Sequence, residues 1–303
     1  MRILVLGSAA GGGFPQWNCG CPNCRLAWAG DPRVTPRSQS SLAASVDGRS
    51  WLLLNASPDI RQQIAQFPEL QPQAQGRHSP IASVLLTNGD VDHVAGLLSL
   101  REGQAFTVHA TAPILEALAA NPIFGVLDRS VVRFAELAAG EALEPLPGLR
   151  VTPFAVPGKV PLYREGETVE IGIESGETIG LEIAGAGRRV LYVPGCAQVT
   201  RRLADRIVGA DVLFFDGTCY QDDEMVRLGL SQKTSTRMGH LAMAGPDGSV
   251  ARLAELPVDR RVFVHINNTN PVLVAGSPER RAVEDAGWEI GWDGLRITLE
   301  ERP

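Results

Sequence analysis

The sequence predicts an α/β protein whose β-sheets pack face to face, with helices on their outer sides. Short aliphatic and β-branched runs recur along the 303 residues, and helix-forming segments lie between some of them without strict alternation. Hydrophobic residues make up 44% of the chain and charged residues 20%, and the mean hydropathy is +0.01. This composition is typical of a folded globular chain with a substantial core, and it excludes disordered and fibrous classes.

Eleven short runs are strand candidates because they are rich in residues that favour extended backbone. They cover residues 2–6, 41–46, 51–55, 83–87, 105–110, 149–154, 178–184, 188–194, 211–216, 261–266 and 295–300. Helix formers recur at helical spacing at about 59–66, 92–101, 112–120, 197–208, 247–255 and 278–286. Because no linker, low-complexity tract or repeat divides the chain, we predict a single domain, residues 1–303, whose two similar halves meet near residue 145.

Charge and hydropathy exclude two classes of partner. Lys and Arg number 28 against 34 Asp and Glu, a net charge of −6, which provides no excess of basic residues for nucleic acid or an anionic membrane. No apolar run approaches the roughly 18 to 20 residues that span a bilayer, and the first residues lack the apolar segment of a secretory signal. We therefore expect no membrane span and a cytoplasmic location.

Three of the five cysteines lie within six residues, as Cys19, Cys21 and Cys24. An odd number of cysteines with this spacing favours metal binding over disulfide bonds. Three thiolates from one loop suit a closed tetrahedral zinc site once a fourth ligand joins them. We predict a small structural zinc loop at about residues 14–30.

The segment from Leu85 to Leu97 places several metal-binding residue types in one turn. A strand candidate ends, Asp90, Asp92 and His93 follow close together, and a helix candidate begins. The residues alone allow two interpretations. One is a solvated acidic turn that caps a helix, and the other is part of a metal site.

This segment resembles the T-H-x-H-x-D-H motif of the metallo-β-lactamase superfamily, with Asn88 and Asp90 where the motif has its first two histidines. Residues 262–267 resemble the late strand whose histidine, here His265, completes the metal site. The resemblance implies an αββα sandwich of two mixed sheets, with metal bound at the strand ends between the sheets.

The superfamily holds two metals, and the resemblance implies that this chain keeps only the second ligand set. No histidine lies between His109 and His240, so the mid-chain ligand of the first metal is absent, and Cys196 stands where a bridging Asp is expected. The surviving ligands are Asp92, His93 and His265. Two histidines and one carboxylate are the ligands of non-haem Fe(II) centres with positions open for oxygen, although zinc also accepts these residues.

Longer stretches narrow the resemblance to the pyrroloquinoline quinone (PQQ) biosynthesis family of this superfamily. They are GSAAGGGFPQWNCGCPNC, TNGDVDHVAGLLSLREG, FFDGTCYQDDEM, TSTRMGHLAMAG and HINNTNPVL. The resemblance implies a hydroxylase that uses Fe(II) and O2 to add oxygen to the tyrosine ring of a small precursor, a crosslinked Glu and Tyr excised from a ribosomal peptide. The alternatives are a carrier that helps to move PQQ or its precursor to the periplasm, and a metal-dependent hydrolase. The oligomeric state stays open, with a homodimer as one arrangement.

Resemblance to a phosphodiesterase of phosphonate breakdown extends the zinc site, because that enzyme shares the cysteine loop. Its fourth zinc ligand corresponds to Asn268 here, with His240, His109 or a water as alternatives. At the iron site, Asp90 is either a further ligand or a residue that orients one.

Asp216 and His240 are a candidate proton relay. tRNA-end-processing nucleases of the superfamily have a carboxylate and an imidazole in the corresponding segments, and a carboxylate raises the basicity of an imidazole that it holds. A structural hydrogen bond at a strand end is the alternative interpretation. The nearby basic residues Lys159, Lys233 and Arg237 are candidates to bind substrate carboxylates.

Overall fold

The computed structural model describes residues 1–302, which form two seven-stranded sheets packed face to face. The strands of the first sheet are β1 (Arg2–Gly7), β2 (Ser41–Ser45), β3 (Trp51–Leu54), β4 (Ile81–Leu85), β5 (Phe106–Thr111), β6 (Val132–Leu137) and β14 (Arg296–Thr298). Their order across the sheet is β14, β1, β2, β3, β4, β5, β6. The neighbours from β3 to β6 are parallel, whereas those from β14 to β3 are antiparallel.

The second sheet has the same mixed character. Its strands are β7 (Leu143–Leu146), β8 (Leu149–Ala155), β9 (Ile179–Gly185), β10 (Arg188–Val193), β11 (Ala210–Asp216), β12 (Val258–Val264) and β13 (Trp288–Ile290). Their order is β13, β12, β11, β10, β9, β8, β7, with parallel pairing from β10 to β13. The chain enters this sheet at β7 and returns to the first sheet only with β14.

Three apolar layers hold the sandwich together, because successive side chains of a strand point to opposite faces. In β1, Ile3 and Val5 join the layer between the sheets, whereas Leu4 and Leu6 join the layer beneath the outer helices. From the second sheet, Tyr192 contributes a fully buried side chain to the layer between the sheets. Strands buried on both faces appear as continuous apolar runs in the sequence. The predicted αββα sandwich is confirmed.

The outer helices are short. They are α1 (Pro22–Trp28), α2 (Ile60–Gln66), α3 (Val91–Val94), α4 (Ala112–Ala120), α5 (Arg201–Ile207), α6 (Glu224–Arg227), α7 (Ser249–Arg252) and α8 (Pro278–Asp285). The side chain of Ser277 caps α8 by accepting a hydrogen bond from the backbone N of Arg280 at 3.0 Å. Within residues 1–302, the structure contains no helix that combines the length and apolarity needed to cross a membrane.

The structure differs from the sequence-based prediction in several elements. All eleven strand candidates overlap observed strands, but β6, β7 and β13 escaped prediction because they are edge or short strands with mixed polar and apolar residues. The helix predicted at 92–101 is wrong in part, since only α3 is α-helical and Ala95–Leu100 is a 3-10 helix. Gly96 packs closely on the loop that follows β3, where its backbone N donates to Ala56 O at 2.9 Å. The helix predicted at 247–255 is longer than the helix observed there, since α7 covers only Ser249–Arg252.

Candidate metal centre

The carboxyl ends of β4, β11 and β12 meet at one edge of the sandwich and carry the chemically active side chains. Helix α3, which follows β4, holds Asp92 and His93, β11 ends at Asp216, and His265 directly follows β12. Asp92, His240 and His265 line a cavity of about 330 Å³. Strand ends are the usual place for sites in α/β proteins, because loops from several strands converge there.

Asp92, His93 and His265 form a compact cluster at the base of this cavity. One donor atom from each lies within 4.8 Å of the others. Oδ2 of Asp92 is 3.1 Å from Nε2 of His265 and 3.8 Å from Nε2 of His93. The structure therefore brings together the three residues that the sequence resemblance selected, and their donor atoms suit a divalent cation.

The surroundings of His93 prepare one of its nitrogens to bind a metal. Oδ1 of Asn88 lies 2.7 Å from Nδ1, and because this oxygen can only accept, Nδ1 carries the proton. Nε2 then has a free lone pair, and it is buried without a hydrogen-bond partner in residues 1–302. Burial lowers the pKa of His93 to about 4, so the imidazole is neutral, as a metal ligand must be.

His265 is held from both sides. Its φ of +55° lies in the left-handed region, which is uncommon for a residue with a side chain and recurs at functional sites. Thr218 Oγ1 is 2.8 Å from Nδ1, which leaves Nε2 directed at Asp92. Burial would lower the pKa of His265, but the hydrogen bond and charge of Asp92 raise it above its ordinary value. The space between Asp92 and His265 therefore favours positive charge.

Asp216 is fully buried, and four donors occupy its two carboxylate oxygens. The donors are the backbone N atoms of Cys196 and Thr218, Oγ1 of Thr218 and Nδ1 of His240. The distance to His240 is 2.7 Å, and His240 stacks on His265 with ring centroids 5.1 Å apart. Since Nδ1 of His240 is engaged, Nε2 is the nitrogen available to a molecule in the cavity. Asp216, His240 and His265 could also hold a metal by distance alone, but the oxygens of Asp216 are already engaged.

The three cysteines of the predicted zinc loop also lie together, with sulfur atoms within 4.8 Å of one another. The side-chain amide of Asn268 completes the group, since Nδ2 is 3.1 Å from Cys19 Sγ, 3.7 Å from Cys21 Sγ and 3.3 Å from Cys24 Sγ. Turning the amide about its Cβ–Cγ bond places Oδ1, which can bind a metal, in the same position. Burial raises the pKa of Cys21 to about 12, so a cation is needed to keep this thiol ionised.

The basic residues Lys159, Lys233 and Arg237 come together at the carboxylate of Glu165, which all three contact. Lys159 and Lys233 belong to the cavity wall. The basic residues were predicted from the sequence, but their common anionic partner Glu165 was not.

Comparison with known proteins places the chain in a family. Residues 50–266 match the model of the beta-lactamase superfamily domain. A coenzyme PQQ synthesis protein B from Methylobacterium sp. (strain 4-46) is 60% identical over 299 residues, which cover 99% of this chain and 100% of that protein. The chain belongs to the coenzyme PQQ synthesis protein B family.

Solved structures agree with this assignment. The crystal structure of Zn(2+)-bound PqqB from Methylobacterium extorquens has a TM-score of 0.98 with this chain at 58% identity, and the match covers 99% of this chain and 100% of that one. A diphosphatase from the PhnP family is 20% identical with a TM-score of 0.68 over 99% of this chain and 98% of its own, which shows the shared fold alone. The family and the metallo-β-lactamase fold predicted from sequence are confirmed.

Two histidines named as alternative zinc ligands lie elsewhere in this member of the PQQ synthesis protein B family. His240 is bonded to Asp216, and His109 lies on β5 with Nε2 3.2 Å from Ser83 Oγ. Neither belongs to the cysteine group. Asp90 lines the cavity, but in the described chain its carboxylate is part of no group compact enough to share one ion with Asp92.

The residues that orient this family's candidate ligands were not predicted from the sequence. Thr218 contacts both His240 and His265, and Asn88 fixes the tautomer of His93. The motif comparison contained a signal for each. Thr218 lies two residues after Asp216, in the segment that was compared with the nucleases, and Asn88 occupies a motif-histidine position. Hydrogen-bonding side chains at such positions orient ligands when they do not bind metal themselves.

Proposed function

We propose that this protein acts in PQQ biosynthesis as an Fe(II)- and O2-dependent hydroxylase of the crosslinked Glu-Tyr precursor. The observation that carries the proposal is the ligand cluster of Asp92, His93 and His265, with one carboxylate and two imidazoles beside an open cavity. Bound Fe(II) would supply the activation of oxygen that the side chains cannot provide. The family assignment supplies the pathway.

The remaining polar groups favour one active-site metal over the two of the parent superfamily. Asn88, at a motif-histidine position, uses its oxygen for the His93 hydrogen bond. Cys196, where a bridging acid is expected, directs its Sγ to Gln198 O at 3.1 Å. Burial raises the pKa of Cys196, which keeps the thiol protonated. Hydrolysis by two metals requires ligands at both positions.

In this mechanism the chain positions the substrate and moves a proton. His240 presents Nε2 to the cavity while Asp216 holds its other nitrogen at 2.7 Å. Burial would raise the pKa of Asp216, but the interaction with His240 lowers it below the ordinary value, so the carboxylate stays ionised. An ionised carboxylate stabilises the imidazolium that forms when Nε2 takes the phenolic proton of a tyrosine ring.

The proposal is tested with protein whose active site, but not its cysteine loop, has been stripped of metal. Fe(II) or Zn(II) is loaded under nitrogen, and O2 is then admitted with the crosslinked precursor and ascorbate, because inserting one atom of O2 and reducing the other to water consumes two electrons. We expect oxygen consumption and a product heavier by one oxygen atom with iron only. Turnover with zinc in the absence of O2 would instead support a hydrolase. Binding without turnover under either condition would support a carrier.

We also propose that Cys19, Cys21, Cys24 and Asn268 hold a structural zinc. The sulfur geometry and the approach of the Asn268 amide support this ligand set. Asn23 fixes the loop that carries Asn268, since its Nδ2 donates to Asn268 O at 3.1 Å. A ligand fixed through its backbone loses little further freedom when the metal binds.

Replacement of His240 by Ala tests the proton relay. A positioned acid-base group contributes about 10² to 10⁴ in rate, whereas a structural hydrogen bond contributes about 1 kcal/mol of stability. We expect the variant to fold and to keep iron, with a melting temperature lowered by the loss of the Asp216 hydrogen bond, but to lose at least about a hundredfold in turnover. Thr218→Ser, which retains the hydroxyl that contacts His240, is the control and should remain active. Full turnover by His240→Ala would contradict the proton relay and leave His240 with a structural role only.

A further inference from the structure

Glu165 is the one carboxylate that the basic residues of the cavity share. It lies on the connection between β8 and β9, residues 156–178, which we call the strap. Lys159 Nζ is 3.1 Å from Oε1, and Lys233 Nζ is 3.6 Å from Oε2. Arg237 binds the same carboxylate with both terminal nitrogens, at 3.3 and 3.0 Å. The side chain of Glu165 is only 9% exposed.

This arrangement holds more positive charge than one carboxylate neutralises. Three cations surround a single anion, so the group keeps a net charge of about +2 beside the cavity. Arg237 binds Glu165 in the two-pronged geometry by which guanidinium groups recognise carboxylates generally. The strong cationic surroundings, first the Arg237 hydrogen bonds, lower the pKa of Glu165 to about 2, so Glu165 is ionised.

The rest of the cavity is unfavourable to an anionic molecule. Asp90 and Asp92 line it, whereas its basic side chains, Lys159 and Lys233, already contact Glu165. A substrate carboxylate that pairs with these cations therefore competes with Glu165 for the same donors. Ion pairs near a protein surface can exchange partners in this way, because a second carboxylate recovers the interaction that the first one loses.

We propose that Glu165 is an internal stand-in for a substrate carboxylate, and that Lys159, Lys233 and Arg237 form a carboxylate subsite that it closes in the free protein. The ligand class is an aromatic polycarboxylate. That class rests on the proposed function, since both the precursor and PQQ carry several carboxylates. Opening moves the Glu165 side chain away from the three cations and leaves Lys159, which lies on the same strap, in place. Tyr163 holds the strap by donating to Gly89 O at 2.8 Å.

The test is the affinity of Zn(II)-loaded full-length protein for PQQ, measured by titration calorimetry at low ionic strength. Zinc fills the metal site without oxygen chemistry, so the measurement is independent of hydroxylase activity. When the subsite is closed in most molecules, the apparent affinity for PQQ is the intrinsic affinity multiplied by the fraction of molecules that are open. If roughly a tenth are open, Glu165→Gln should bind PQQ about tenfold more tightly than the wild type.

Glu177→Gln is the matched control. Glu177 also lies on the strap and is paired, but its partner is Arg164, with Nη1 3.0 Å from Oε1. Its loss should leave the dissociation constant of PQQ unchanged. Arg237→Gln should weaken binding more in the Glu165→Gln background than in the wild type, since the guanidinium is then free for the ligand.

Three results would overturn the proposal. They are equal or weaker PQQ binding by Glu165→Gln, the same gain from Glu177→Gln, and no saturable binding of PQQ by any variant. Should Glu165→Gln not fold, Glu165→Asp keeps the charge and shortens its reach, and it must then bind PQQ more tightly than the wild type. If PQQ binding follows these expectations but no hydroxylation is observed, the carboxylate subsite is supported and only the proposed reaction is contradicted.

Discussion

Alanine in place of His93 or His265 is expected to abolish both iron binding and turnover. Each variant removes one of three ligands, whereas changing a residue that only orients a ligand already costs about 10- to 100-fold in metal affinity. We therefore expect a loss of at least about 100-fold in affinity for Fe(II). Iron per chain after anaerobic loading, together with oxygen consumption, measures both effects.

His109→Ala is the control for this experiment, because His109 is an imidazole on β5 that bonds to Ser83 away from the cluster. It should retain iron and activity. The zinc of the cysteine loop should remain at one equivalent in all three variants, since each of them retains Cys19, Cys21, Cys24 and Asn268. Iron retention by His93→Ala, or two active-site metals in the wild type with hydrolysis as the main activity, would contradict the single-iron assignment.

The sandwich could be predicted because local sequence patterns identify most of its strands. Strands buried on both faces, such as β1 and β11, are continuous apolar runs that need no tertiary context to be recognised. The edge strand β7 has the sequence LEPL and is largely part-exposed. Its pairing depends on the neighbouring strand β8, which no local pattern reveals.

The candidate site divides in the same way. Asp92 and His93 come from one turn, so a local motif could identify them, and the comparison with a known family added His265. The contact between Glu165 and Arg237 joins two loops 72 residues apart. Nothing in the sequence of either loop indicates that the charges meet. Local chemistry thus predicted the ligands, and only the fold revealed what surrounds them.

Replacement of Cys24 by Ser is expected to remove the zinc and lower the melting temperature by at least about 5 °C. In such loops the free energy of metal binding contributes directly to the free energy of folding. Without the Cys24 thiolate the ligand set is incomplete, and because position 24 is fully buried, the serine side chain is not solvated. Zinc content and thermal unfolding, each with and without a chelator, provide the measurement.

Cys219→Ser is the control, because Cys219 is equally buried but lies outside the cysteine group. It measures how far replacing a buried cysteine by serine lowers the melting temperature when no metal ligand is lost. It should keep its zinc and respond to the chelator as the wild type does.

The effect of Cys24→Ser should also reach the active site, since Asn268 follows His265 by three residues in one buried loop. We therefore expect weaker Fe(II) binding as well. A variant lacking all three cysteines that kept wild-type zinc content and melting temperature would refute the structural zinc, whereas zinc loss with unchanged iron affinity would separate the two sites.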